Sequence, residues 1–272
     1  MSLYVAEYGS ANVPTIVFLH GGGGAGWMWQ PQIERFQDYH CLVPDLPEHG
    51  RSMEVKLGSA ADAAVHIADL IRERTREGRA HVVGLSLGAQ VLTALLASAP
   101  EVVDHAVINS ALVRPLPGAW MYTPALLAWT FRLTVAPLKW SDGWTRINMN
   151  YAAGVPEKYF PQFRQDFRAA TATSFGDVMA ANQNFRLPQG LDRVTARVLV
   201  LVGNRELAAM KESARDLAAA IPHARGGLVV HEAKFSTAQE HNWNLNAPEL
   251  FTATVRAWIE DKPLPSAVKP LG

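Results

Sequence analysis

The stretch of sequence that decides the fold is AHVVGLSLGAQVLTALLAS, residues 80–98. An apolar run comes first and an Ala/Leu-rich run follows, which predicts a buried strand that turns directly into a helix. Ser86 stands at the turn, where the backbone is strained and the side chain points clear of both elements. Gly84 and Gly88 let neighbouring backbone pass close to the turn. The pattern therefore predicts a serine hydroxyl above the carboxyl end of a sheet and beside a helix N-terminus, which favours developing negative charge.

The pentapeptide Gly-x-Ser-x-Gly is weak evidence by itself, because an ordinary tight turn capped by serine has the same composition. The strand before it and the helix after it favour the alternative, a nucleophilic serine at position 86. We take the nucleophile as the working interpretation.

A glycine-rich loop follows an earlier strand-like run. Residues 15–19, TIVFL, are apolar and β-branched, and residues 20–27 read HGGGGAGW. This loop lacks the Lys-Ser/Thr pair of a P-loop and the spacing of a dinucleotide-binding fingerprint. We interpret it instead as a loop whose backbone N–H groups face Ser86, with Gly22 and Leu87 donating to an oxyanion. His20 is expected to hold this loop by hydrogen bonding.

A third segment, CLVPDLPEHGRS at residues 41–52, completes a series that resembles the alpha/beta-hydrolase superfamily in order and in its spacing of roughly thirty residues. The resemblance continues to RVLVLVG at residues 197–203 and HNWN at residues 241–244. It implies a serine–acid–histidine triad in that chain order. It also implies that the segment around Asp45 is mainly structural.

Length and composition limit the function classes. With 272 residues, of which 49% are hydrophobic, the chain is long enough for one large core with an insertion. The 25 basic and 25 acidic residues balance, so nothing indicates a nucleic acid or an anionic membrane as partner. The sequence leaves the oligomeric state open.

Location and cofactor are also inferred from composition. We find no basic-then-apolar leader and no long uninterrupted apolar segment. The single cysteine, Cys41, lies in a predicted buried strand and has no partner for an internal disulfide. These features predict a cytoplasmic protein. No Cys/His cluster has metal-ligand spacing, and serine hydrolysis needs neither a metal nor another cofactor.

Strand-like and helix-like segments alternate along most of the chain. This alternation predicts an α/β fold with a doubly wound, mainly parallel sheet of about eight strands, the alpha/beta-hydrolase fold with an inserted helical cap. We assign 1–111 and 191–272 to the core and 112–190 to the cap. The expected strands are 3–8, 15–19, 40–44, 80–85, 105–109, 197–202 and 228–231; the expected helices are 30–36, 60–76, 87–98, 125–135, 161–172, 210–220 and 248–260. The tail 263–272, with three prolines, is expected to be loosely held.

The predicted cap has an unusual composition. It holds 13 of the 24 Phe, Trp and Tyr residues of the chain. A small helical lid needs aromatic side chains for its own core, and a surplus would form an apolar ceiling suited to a hydrophobic acyl or aromatic group. The cap also carries eight basic and four acidic residues. That excess is compatible with a carboxylate-bearing substrate or with solvated surface.

Two histidines compete for the role of general base. His231 ends the predicted strand 228–231, where its side chain is committed to one face. His241 lies on the expected loop after that strand and is followed by Asn242-Trp243-Asn244. A base must reach over the nucleophile, which a loop position allows, so we favour His241.

The acid departs from the pattern that the resemblance implies. The superfamily most often places Asp three residues after the glycine that ends the strand at 197–203, and here that position is Glu206. Glutamate has one more rotatable bond and can orient an imidazole equally well. A surface glutamate at a helix start is the alternative. Asp142 and Asp177 lie in the cap, and the alternative acid position, Ser110-Ala111-Leu112, offers no carboxylate.

These residues predict a serine hydrolase. Ser86, His241 and Glu206 would cleave a small hydrophobic or aromatic ester through an acyl-enzyme, with Gly22 and Leu87 as oxyanion donors. Two alternatives stay open: a carbon–carbon bond hydrolase of a diketone-type carboxylic acid, and a ligand-binding member of the same fold that does not catalyse a reaction. The superfamily that this chain resembles also includes haloalkane dehalogenases and epoxide hydrolases. A serine nucleophile argues against those two activities, because those enzymes use aspartate.

Overall fold

The computed structural model describes residues 2–9 and 14–272. Within them, eight strands form one sheet in the order β1-β3-β2-β4-β5-β6-β7-β8. The strands from β3 across to β7 are parallel, and β1 and β8 pair antiparallel at the two edges. Their bounds are β1 Val5–Tyr8, β2 Thr15–Leu19, β3 His40–Pro44, β4 Ala80–Leu85, β5 Val103–Asn109, β6 Arg197–Gly203, β7 Arg225–Val229 and β8 Val268–Pro270.

Helices cover both faces of the sheet. They are α1 Gln30–Ile33, α2 Ala60–Arg74, α3 Leu87–Ser98, α4 Pro124–Thr134, α5 Asp142–Ile147, α6 Phe160–Ala169, α7 Ala172–Asn184, α8 Ala208–Ala220, α9 Thr237–His241, α10 Trp243–Asn246 and α11 Pro248–Ile259. A π-helical turn, Asn148–Ala153, continues α5. In the described ranges we find no helix that is both long and apolar enough to cross a membrane.

The apolar strands produce two cores, one on each face of the sheet. Val17 of β2 packs in the core beneath α2 and α3, together with Ile67 and Leu92. The next residue, Phe18, points to the opposite face and packs 5.1 Å from the Trp29 ring in the core beside α11. A sheet buried on both faces needs strands that are apolar throughout, and β2 and β3 are buried at every position. The doubly wound α/β fold is confirmed.

Four helices, α4 to α7, lie between β5 and β6. The rings of Phe131 on α4 and Phe175 on α7 are 5.1 Å apart. Gly176 permits this close packing, because a Cβ there would lie 2.5 Å from the carbonyl oxygen of Pro124. The Trp27 indole donates to Asp166 Oδ2 at 2.6 Å and joins the inserted helices to the core. We propose that the whole insertion, residues 112–190, is the cap.

Some sequence expectations differ from the structure. The helix expected over 30–36 ends at Ile33. Strand β7 begins at Arg225 rather than at 228, because its first residues are polar or glycine and resemble a turn. The tail is not loose, because Val268–Pro270 pairs with β7 as the edge strand β8. Gly227 makes that pairing possible, since a Cβ there would lie 2.7 Å from Val268 Cγ1.

Candidate active site

Ser86 occupies the sharp turn that the sequence predicts. It lies directly between β4 and α3, with φ of 54° and ψ of −112°, which is a strained conformation for a residue with a side chain. The turn needs both flanking glycines. A Cβ on Gly84 would lie 2.5 Å from the Gly88 carbonyl oxygen, and one on Gly88 would lie 2.7 Å from the His20 carbonyl oxygen. This backbone places the Ser86 side chain at the carboxyl end of the parallel sheet.

Glu206 and His241 form a hydrogen-bonded pair beside this turn. His241 Nδ1 lies 2.8 Å from Glu206 Oε2, and the carboxylate is almost entirely buried. The other carboxylate oxygen, Oε1, accepts hydrogen bonds from the Ser110 hydroxyl at 2.6 Å and from the Gly203 N–H at 2.9 Å. Three donors therefore hold one carboxylate in a single orientation.

Ser110 is a functional candidate that sequence reasoning missed. The sequence marks it only as a position without a carboxylate, whereas its hydroxyl anchors Glu206. Its φ of 56° is unusual for a residue other than glycine, and its N–H donates to the Leu201 carbonyl at 2.9 Å. The partner lies 96 positions away in the chain, so no local pattern could have indicated the contact.

The pair shifts the pKa values of both groups. Burial lowers the pKa of His241, but the charge of Glu206 and their hydrogen bond outweigh burial, so the pKa is raised above 6.5. Burial raises the pKa of Glu206, but the His241 charge and the donors on both carboxylate oxygens outweigh it, so this pKa is lowered. The arrangement favours an ionised carboxylate beside an imidazole that binds a proton readily.

Two neighbouring residues of the predicted site have a backbone N–H without a partner among the described residues. Within the described ranges, neither the Gly22 N–H nor the Leu87 N–H donates a hydrogen bond to the protein. A Cβ on Gly22 would lie 3.9 Å from Leu87 Cβ, so the two residues are neighbours. Leu87 is also the first residue of α3, where the helix dipole favours negative charge.

Two buried histidines hold the glycine-rich loop. Leu46 N–H donates to His20 Nε2 at 2.9 Å, and His20 Nδ1 lies 2.8 Å from the Gly21 carbonyl oxygen. The expectation that His20 fixes the loop is confirmed. Gly23 N–H donates to His49 Nε2 at 3.1 Å, a contact that sequence reasoning missed. Burial lowers the pKa of His20 to about 4 and that of His49 to about 3, so both rings stay neutral and can accept these bonds.

Two cavities meet at Ser86 and His241. The smaller, of about 50 Å³, is lined by the glycine-rich loop with Trp27, Met28 and Phe163. The larger, of about 400 Å³, has a mixed lining. Its apolar or aromatic members are Leu112, Leu116, Tyr151, Ala152, Leu207, Met210 and Ala238, and its polar members are Ser86, Asn182, Gln183, Glu206, Thr237, His241 and Asn242. Among the residues that the structure describes, neither lining includes a lysine or an arginine.

Within residues 2–9 and 14–272, no hydrogen bond links the Ser86 hydroxyl to His241, although both line both cavities. Such contacts are often long before substrate binds and tighten in the complex. The sequence analysis expected His241 on a loop, but His241 is the last residue of the short helix α9. That helix begins at a capping box on Ser236, which fixes its direction.

The competing residues lie elsewhere. His231 follows the end of β7 and packs 4.9 Å from the Phe235 ring and 5.5 Å from the Trp243 ring, outside both cavity linings. Asp142 pairs with Arg164 and Arg168 on the cap surface. Asp177 is a partly exposed carboxylate that lies 4.0 Å from Lys56 Nζ. None of the three competitors lines either cavity.

No group of three or more histidine, cysteine, aspartate or glutamate side chains is arranged to hold a metal ion in the part of the chain that the structure describes. Cys41 is buried in β3, as predicted. Burial raises the pKa of its thiol to about 12.

Comparison with known proteins agrees with this architecture. The model of the Alpha/beta hydrolase family matches residues 16–254. An AB hydrolase superfamily protein of Gibberella zeae is 25% identical and aligns over 92% of this chain and 82% of its own length. A pimeloyl-[acyl-carrier protein] methyl ester esterase of Vibrio campbellii is 39% identical, but over only 32% of this chain and 33% of its own length.

A solved structure gives the same picture of the fold. A thermophilic esterase from Thermogutta terrifontis superposes with a TM-score of 0.72 at 20% identity, covering 95% of this chain and 93% of the esterase. At that identity the likeness concerns the fold alone. The family match over most of the sequence shows that this chain belongs to the alpha/beta hydrolase family.

Proposed function

We propose that the protein is a serine hydrolase that cleaves small, neutral, hydrophobic carboxylic esters. The observation that carries the proposal is the buried Glu206–His241 pair, 2.8 Å apart, beside a serine in a strained turn. A carboxylate that orients an imidazole next to a nucleophile is the arrangement that serine hydrolysis requires. Family membership and the esterase among the relatives support hydrolase chemistry.

In the proposed acylation step, the Ser86 oxygen attacks the ester carbonyl while His241 Nε2 takes the hydroxyl proton. Glu206 holds the proton on Nδ1 and stabilises the imidazolium that forms. Negative charge develops on the carbonyl oxygen, where the free N–H groups of Gly22 and Leu87 would donate. The imidazolium then protonates the leaving alcohol as the carbon–oxygen bond of the ester breaks.

In the proposed deacylation step, His241 removes a proton from water, which attacks the acyl carbonyl of Ser86. The same two N–H groups would hold the second oxyanion. Collapse of this intermediate breaks the bond to Ser86, and His241 returns the proton to the serine oxygen. The products are a carboxylic acid and the free enzyme.

The lining of the larger cavity supports a neutral substrate. Its volume of about 400 Å³ lies within the range of small-molecule sites. The cap has eight basic residues, yet neither lining includes one. Several of them serve within the protein instead, as in Arg114, which bonds to Glu212 and Asp216. A carbon–carbon hydrolase of carboxylic acids would need a cation near the bound carboxylate, so we favour the ester.

Covalent labelling with a fluorophosphonate tests the nucleophile. The reagent should modify Ser86, as shown by peptide mass spectrometry, and Ser86→Ala should lose both labelling and turnover of a chromogenic short-chain ester. Ser52→Ala is the matched control, because Ser52 is a buried serine whose hydroxyl accepts from the Tyr4 N–H. Labelling of Ser52 or Ser110 with Ser86 unmodified would refute the triad. Labelling of Ser86 without turnover of any ester would favour the ligand-binding alternative.

A paired substrate series tests the proposed substrate class. We expect turnover of uncharged esters to increase with the length of an apolar acyl chain until the larger cavity is filled. The matched esters with a terminal carboxylate should react at least tenfold more slowly, because no cation in either lining offsets the cost of desolvating that group. Preference for the carboxylate series, or for ring-cleavage diketones, would instead favour the carbon–carbon hydrolase.

A further inference from the structure

One side of α4 exposes large apolar side chains to solvent. Leu126, Trp129 and Leu133 are 42%, 57% and 56% exposed. They stand three and four positions apart, so they share one side of the helix. Phe131 instead packs against α7. α4 therefore carries apolar side chains on the side that faces solvent as well as on the side that packs against α7.

Two further exposed tryptophans flank α4 in the sequence. Trp120 precedes the helix and is 82% exposed, and Trp140 follows it and is 67% exposed. We call Trp120, Leu126, Trp129, Leu133 and Trp140 the α4 face. Exposed apolar groups that occur singly are ordinary, but five along a segment of 21 residues mark an interaction surface.

The charge around the α4 face differs from that of the chain as a whole. Residues 112–141 contain no aspartate or glutamate. Of their three basic residues, Arg114 is paired with Glu212 and Asp216 of α8, which leaves Arg132 and Lys139 as the positive charges beside the α4 face. Arg132 is exposed and forms no ion pair among the described residues. The full cap contains eight basic and four acidic residues, whereas the numbers of basic and acidic residues in the whole chain are equal. The α4 face therefore belongs to a positively charged part of a neutral protein.

We propose that the α4 face docks onto an anionic lipid bilayer. Indole rings prefer the boundary between headgroups and acyl chains, and leucine side chains enter the apolar layer beneath. Basic side chains beside them are attracted to anionic headgroups. This proposal replaces the expectation of no membrane partner, which rested on the charge of the whole chain and not on the local charge of the cap.

A second copy of the chain fits this surface less well. Pairing the α4 face with itself would bring two positively charged caps together, which is repulsive. A bilayer supplies negative charge and accepts apolar side chains without needing a complementary shape. The docking proposal does not depend on the catalytic one, since no residue of the α4 face lines either cavity.

Vesicle co-sedimentation tests the docking with the full-length protein. It should bind vesicles of phosphatidylcholine mixed with phosphatidylglycerol more tightly than vesicles of phosphatidylcholine alone. Replacing Leu126, Trp129 and Leu133 together by Gln, a good helix former, should weaken binding to the mixed vesicles by at least tenfold. Arg132→Gln should weaken it by about fivefold on mixed vesicles and hardly at all on phosphatidylcholine.

The matched control is Val65→Gln, which replaces an exposed apolar residue, 56% exposed, on α2 of the core. It should leave vesicle binding unchanged, and far-ultraviolet circular dichroism should show that every variant remains folded. Absence of sedimentation with mixed vesicles, or equal sedimentation of the wild type and the triple variant, would overturn the proposal. So would a dimer in solution that the triple variant dissociates, because that result would identify a second copy as the occupant.

Discussion

His241 at the carboxyl end of the sheet and His81 at its amino end are both partly buried, yet their pKa values shift in opposite directions. His241 is raised above 6.5, because Glu206 outweighs burial. His81 is lowered to about 4 by burial and by the neighbouring His105. The His81 and His105 rings lie 5.0 Å apart, edge to face. Among residues 2–9 and 14–272, His81 Nδ1 and both ring nitrogens of His105 are buried without hydrogen-bond partners.

This difference shows what distinguishes a candidate catalytic histidine from one that only packs. At the amino end, burial and a neighbouring imidazole lower the pKa of His81, so the ring loses its proton more readily. A buried carboxylate restores the affinity for a proton, as at the carboxyl end. Only the second arrangement gives an imidazole that can accept a proton from serine and release it near neutral pH.

The largest effect is expected from His241→Ala. Removing the proposed base should lower kcat by about 10⁴–10⁶-fold, because the remaining members of a catalytic unit contribute little to the rate without it. Steady-state hydrolysis of the chromogenic ester measures this. The matched control is His231→Ala, which removes a half-buried histidine outside both cavities and should change kcat by less than about threefold. The reverse ranking would assign the base to His231.

The second prediction concerns a substitution that leaves His241, like His81, without a neighbouring carboxylate that raises its pKa. Glu206→Gln removes the charge that outweighs burial and should lower kcat by about 10³–10⁴-fold. In the wild type, His241 must be neutral to act as the base, so kcat/KM should fall with decreasing pH at a pKa above 6.5. In the variant, that pKa should move to lower pH, because burial then dominates.

Asp142→Asn and Asp177→Asn are the controls for this variant, since both carboxylates lie outside the cavities. They should retain kcat and leave the pH profile unchanged. If either was inactive and Glu206→Gln remained active, the cap would supply the acid. Full activity in all three would mean that a serine–histidine dyad suffices.

A smaller effect is expected from Ser110→Ala. Ser110 is proposed as a positioning residue, because its hydroxyl donates to the oxygen of Glu206 that does not bond to His241. Losing a hydrogen bond to a charged group should lower kcat by about tenfold and alter the pKa in the kcat/KM profile, with little change in KM. Ser213→Ala is the control, because this buried serine accepts from the Val113 N–H and does not contact Glu206. An unchanged profile in Ser110→Ala would make the bond merely structural.

The last prediction concerns stability at the amino end. His81 has a lower pKa when folded, about 4, than its usual 6.5, so the unfolded chain binds a proton more readily. The part of the folding free energy that depends on a neutral His81 should therefore be fully present above pH 6.5 and should decline as pH falls toward 4. In His81→Leu this decline should be smaller by at most about 3 kcal/mol, as measured by urea unfolding across that pH range. An identical pH dependence in both proteins would contradict the assignment.

Local sequence determined much of the fold and most of the candidate site. The strand, turn and helix around Ser86 follow from an apolar run, two glycines and an Ala/Leu-rich run, all within 19 residues. Strong hydrophobic patterns of this kind predict the elements of the folded protein correctly, because they indicate which side chains must be buried. Chain order and the position after β6 were also enough to select Glu206 and His241 as a pair, although their roles remain predictions.

Tertiary structure decided what depends on distant partners. The tail became β8 because β7 offered an unpaired edge with glycine at the contact, and neither segment indicates this alone. Ser110 reaches Glu206 across 96 positions, and His49 reaches Gly23 across 26. The charge of the cap could be counted from the sequence, but only the fold shows that it lies outside both cavities and beside an exposed apolar helix. Periodicity reports which faces are buried, whereas these outcomes depend on which surfaces meet.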